Sequence, residues 1–107
     1  MIAGRCDPGT RLARAIVAHA AAAGCAARPL SIEERDWASA TFAGVRLRIL
    51  LAGDASPALD AWLAAMPDAE FDIPGHLVAD MAIDTGVSAV NDLHRSITVS
   101  SLVLRRD

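Results

Sequence analysis

Val45-Arg46-Leu47-Arg48-Ile49-Leu50-Leu51-Ala52 carries a period of two that no amphipathic helix shares. Side chains of a strand alternate between its faces, so Val45, Leu47, Ile49 and Leu51 turn to a core. Arg46, Arg48 and Leu50 turn the other way. This is a strand with one face buried and one face only partly apolar. Immediately before it, Ala43-Gly44 has the form of a tight link back to an extended run, Trp37–Phe42. The two runs read as a hairpin.

Further upstream, residues 26–34 predict another strand, with Pro29 marking an edge because proline cannot donate to a ladder. Ser31-x-x-Glu34 has the form of a capping box, the start of a competing short helix, but no amphipathic run follows it. The first helix is announced by Asp7-Pro8, an acceptor at the cap and then proline at the first helical position. Leu12, Ala13, Ile16, Val17, Ala20 and Ala23 form its apolar stripe, and Gly24 ends it. Downstream, Ser56-Pro57 repeats the device and opens a shorter helix over 57–66, whose Leu59, Trp62, Leu63 and Met66 fall on one face.

Three more strands are predicted. Residues 69–73 are short, and Pro74-Gly75 turns the chain into His76–Asp84, with Leu77, Ala79, Met81 and Ile83 inward. His76, Val78, Asp80, Ala82 and Asp84 are expected outward. After a loop around 85–95, Ser96–Leu104 completes the set, with its alternation broken at Ser100-Ser101 as by a β-bulge. The order α-β-β-β-α-β-β-β implies one α+β domain over residues 1–107. Its architecture is a two-layer sandwich, a mainly antiparallel sheet with both helices on one face. Each half begins at a helix, which raises an internal duplication as a further expectation.

Composition narrows the function classes. The 107 residues are 53% hydrophobic, but 23 of those are Ala, leaving under a third of the chain as larger apolar side chains. All ten basic residues are Arg, the usage of a GC-rich bacterial genome, and the formal charge is −3. A general nucleic-acid or membrane-surface binder relies on a basic excess instead. The uncharged stretch Ala15–Ala27 is too short to span a bilayer. It resembles a lipoprotein signal at Ala22-Ala23-Gly24-Cys25, yet its alanine content, its central His19 and the upstream Asp7 favour an amphipathic helix. Cys6 and Cys25 bracket that helix, whose ends lie ~25 Å apart, too far for a disulfide. Free thiols and a cytoplasmic location are therefore expected.

Asp84-Thr85-Gly86 resembles the active-site signature of retroviral-type aspartic proteases, which pair one Asp from each chain across a dimer axis. In that family a flap and a second hydrophobic-glycine segment follow the motif. Only 21 residues follow Gly86 here, too few for both, so a turn is the preferred reading and the protease a remote alternative. His76, Asp80 and Asp84, on one predicted strand face, invite a metal reading. However, residues four apart on a strand are ~13 Å apart, so His76 and Asp80 cannot share one ion unaided. An Arg–Asp cross-strand pair involving Arg46 or Arg48 is the favoured arrangement. No metal or cofactor is expected, and neither phosphate-binding glycine loop is present in the sequence.

Trp37-Ala38-Ser39-Ala40-Thr41-Phe42-x-Gly44 and Pro74-Gly75-His76-Leu77-Val78-Ala79-Asp80 together resemble a family of short bacterial proteins that carries both segments in this order. That family has no assigned activity, so the resemblance implies a shared structural signature at the two hairpins and no catalytic role.

The most informative feature is the outward sheet face, on which Arg46, Arg48, Leu50, His76, Val78, Asp80 and Ala82 are expected together. A half-apolar face of this kind suits a partner. The sequence therefore favours a non-enzymatic binding or accessory module, a homodimer through this face or a complex with a protein partner. The alternative is a small enzyme at the dimer seam, with His76 as acid or base beside Asp80 and Arg48.

Overall fold

A computed structural model describes residues 7–84 and 94–105. Helix α1 spans Pro8–Ala22, strand β1 Ala27–Ala38, β2 Ala43–Asp54, helix α2 Pro57–Ala65, β3 His76–Asp84 and β4 His94–Arg105. The strands form one antiparallel sheet in the order β1-β2-β4-β3. Both helices pack on one face, and their buried stripes merge with the inward side chains of the sheet in a single core. The expected α+β sandwich is what forms. Among the described residues no helix is long and apolar enough to cross a membrane.

Local chemistry explains the helix ends. The Asp7 carboxylate accepts from the Thr10 N–H at 2.7 Å, and the Ser56 hydroxyl accepts from the Leu59 N–H at 3.0 Å. Such caps satisfy amides that a first turn leaves orphaned. At the far end of α1, Gly24 takes a φ of 85°. The Cys25 N–H then reaches the Ala20 carbonyl and the Gly24 N–H that of Ala21, a Schellman closure. That closure buries Cys25, a free thiol; Cys6 lies outside the described residues.

The strand boundaries differ from the sequence reading in an instructive way. Residues 26–34 and 37–42 were expected as separate strands, but β1 runs unbroken from Ala27 to Ala38 and pairs with β2 along its length. The turn is Ser39–Phe42 rather than Ala43-Gly44. There the Ser39 hydroxyl accepts from the Phe42 N–H at 3.1 Å and the Ser39 N–H donates to the Phe42 carbonyl at 2.8 Å. A serine side chain closes the loop, and no left-handed glycine is needed. Gly44 instead lies within the ladder between Trp37 and Leu104. A Cβ there would collide with the Val103 carbonyl oxygen. The segment 69–73 contributes only a bridge from Ile73 to His76.

The bulge expected at Ser100-Ser101 is absent, because β4 pairs with β2 in unbroken register. The irregularity lies on the neighbouring strand, between Val78 and Asp80, so Ala79 is the extra residue. Ser101 is buried, and its hydroxyl donates to the Asp80 carbonyl at 2.7 Å. The serine that seemed to break a pattern thus satisfies a backbone group beside the real bulge. A second shift, between Pro29 and Ser31, places a bulge at Leu30 on the edge strand β1.

Candidate functional site: the outer face of the sheet

Register sorts each strand residue to a face, since directly opposed residues share one. Ile97, Val99, Ser101 and Val103 of β4 are buried toward the helices. Their neighbours therefore define the outer face as rows running β1, β2, β4, β3. One row reads Trp37, Gly44, Leu104, Leu77, and the next Arg35, Arg46, Leu102, Asp80. Then come Glu33, Arg48, Ser100, Ala82 and finally Ser31, Leu50, Thr98, Asp84.

Five of the seven residues expected on this face are there: Arg46, Arg48, Leu50, Asp80 and Ala82. His76 and Val78 are not. The bulge at Ala79 reverses the alternation of β3 ahead of it, so Val78 sits opposite buried Val103 and packs against the core. His76 shares that side, opposite Arg105, with its Nδ1 3.1 Å from the Pro74 carbonyl. Leu77, expected inside, is turned outward and is 44% exposed.

This separation undoes the expected catalytic trio. His76 lies on the helix side of the sheet, whereas Asp80 and Arg48 lie on the outer side two strands apart. Nor does either Arg form the expected pair with an Asp, because β4 intervenes between β2 and β3. Among the described residues no group of three His, Cys, Asp or Glu gathers closely enough to hold a metal ion. Asp84 ends β3 opposite Thr98; Thr85 and Gly86 of the protease-like motif lie outside the described residues.

The other histidines hold the framework. His94 begins β4 and lies 3.6 Å from Asp54, with Arg95 bound to Asp60 at 2.6 Å beside it. His19 of α1 accepts through Nδ1 from the Trp62 indole N–H at 2.8 Å, and its ring lies 5.2 Å from that of Phe71. This contact ties the two helices together, which the helical stripes did not disclose.

Several residues that matter on the outer face were missed because a break was expected at 35–36. With β1 continuous, Glu33, Arg35 and Trp37 join Arg46 and Arg48. A groove of about 430 Å³ opens among them, lined by Glu33, Glu34, Arg35, Arg46, Leu47, Arg48, Ser100 and Ser101. Arg35 stands directly opposite Arg46. Like charges so placed repel. Leu104 is 9% exposed yet stands apart from the helix-side core, which makes the Trp37–Leu77 row a small apolar cluster of its own. No protein-family model, curated protein or solved structure matches the chain.

Proposed function

We propose that the protein is a small binding module that assembles as a symmetric dimer through the outer face of its sheet. One observation carries this reading: the apolar row and the Arg35 and Asp80 charges of the face are self-complementary. A two-fold axis along the strands, between β2 and β4, lays β1 of one protomer over β3 of its partner. Arg35 then meets the partner's Asp80, Trp37 meets the partner's Leu77, and Gly44 leaves room for the partner's Leu104. An axis across the strands would instead place β1 on β1 and, with the four rows centred, set Arg46 against the partner's Arg48. The charges favour the first arrangement.

Size supports it too. Four strands at roughly 4.8 Å spacing and about 30 Å of strand offer about 600 Å² per protomer, the lower range of specific interfaces. The buried free thiol of Cys25 suits a reducing, cytoplasmic setting. Charge reversal tests the geometry. Arg35→Asp and Asp80→Arg should each weaken dimerisation at least tenfold, and the double variant should recover most of the loss, read by analytical ultracentrifugation. Single variants that dimerise like the parent would remove the proposed pairing.

A further inference from the structure

We infer that the groove on β1 and β2 is a phosphoryl-binding site for a small phosphorylated molecule, with Arg46 and Arg48 as its clamp. The two arginines occupy the same face two positions apart, so their Cα atoms are roughly 7 Å apart. That spacing lets two guanidinium forks converge on one tetrahedral anion. Both side chains are exposed, and among the described residues no carboxylate lies within 4.0 Å of either. Ser100 faces Arg48 across the β2–β4 ladder and adds a hydroxyl to the same groove.

Repulsion points the same way. Three arginines, Arg35, Arg46 and Arg48, share the groove with two acids, Glu33 and Glu34, and the Arg35–Arg46 pair is directly cross-strand. An isolated sheet gains nothing from that juxtaposition, and a bound dianion reverses its sign. The proposed dimer supplies an acid only to Arg35. Glu33 stands opposite Arg48 across the β1–β2 ladder. Arg46 faces Arg35 there and the partner's Leu102 in the dimer, so it is the Arg46 charge above all that calls for an anion. A groove of about 430 Å³ falls within the size range of small-molecule sites and leaves space beyond a bare phosphate. The chain's net charge of −3 and the acids on the same face disfavour a nucleic-acid strand.

The groove lies on the face that the proposed dimer covers. The site is therefore read on the monomeric Leu77→Asp variant as well as on the parent, and its failure is distinguishable from that of the dimer. Titration calorimetry at fixed ionic strength, with pyrophosphate and with inorganic phosphate as probes, reads it directly. Pyrophosphate should bind saturably, and inorganic phosphate more weakly at the same site. Arg46→Gln and Arg48→Gln should each lose at least tenfold in affinity with unchanged circular dichroism. Binding should persist in Leu77→Asp, whose dimer is broken. No saturable heat with pyrophosphate, or parental affinity in the two glutamine variants, would overturn the site. So would tight binding of a single-stranded oligonucleotide in place of pyrophosphate.

Discussion

Glu34 lies on the helix side of β1, in register with Leu47, near the cap of α1. Partial burial pushes its carboxyl pKa up, and the negative charges of Asp7 and Asp36 push it further. A carboxyl raised in the folded state binds its proton more tightly there than when unfolded. Its ionisation therefore penalises folding fully above the raised value, and the penalty vanishes below the unfolded one. Stability from this group falls as pH rises through that window. Glu34→Gln should raise the melting midpoint at neutral pH, with the gain gone below about pH 4. A gain that grew on acidification would contradict the assigned environment. At the same scale, Trp62→Phe removes the donor to His19 and should cost roughly 1–2 kcal/mol in urea denaturation.

At the scale of elements, the β3 bulge reassigns two neighbours. Val78 packs against the core and Leu77 faces out. Val78→Asp should therefore lower the melting midpoint sharply, because it sets a charge against the edge of the core. Leu77→Asp should keep the native circular dichroism spectrum and, at concentrations where the parent is monomeric, a near-parental midpoint. A sheet without the bulge reverses the two outcomes. Glycines separate similarly. Gly24→Ala meets no atom within 4 Å and bears only the left-handed backbone cost, about 1–2 kcal/mol. Gly44→Ala forces two backbones apart and should be much worse.

The elements show why some of the fold was legible and some was not. Asp7-Pro8 and Ser56-Pro57 are local devices whose meaning lies within four residues, and both helices begin there. The alternation from Val45 to Leu51 is equally local, and every side chain in it faces as its parity predicts. Bulges are different, because they are properties of a pair of strands. Nothing within His76–Asp84 announces that Ala79 is the extra residue. The visible irregularity, Ser100-Ser101, lies on the strand that stays regular. Likewise Ala43-Gly44 carries a turn signature, while the distant Leu104 strand sets the requirement for Gly44. The outer face was thus readable along β2, and its composition across β1 and β3 was not.

For the whole molecule, the consequence is a sheet with two unlike faces. The helix side carries the apolar core, with Glu34 and Asp36 at its β1 edge. The outer side is a patterned surface, with an apolar row at one end, arginines on β1 and β2, and Asp80 and Asp84 on β3. Such a face can rest in water, as antiparallel sheets do. What favours a second copy is that Arg35 meets Asp80 and the apolar row meets itself under one rotation. Sedimentation velocity over a hundredfold concentration range, on the parent chain and on Leu77→Asp, is the most direct measurement. A reversible monomer–dimer equilibrium in the parent, with the variant monomeric throughout, is the expected result. A parent that sediments as a monomer at every concentration, or a variant that dimerises as the parent does, would contradict it.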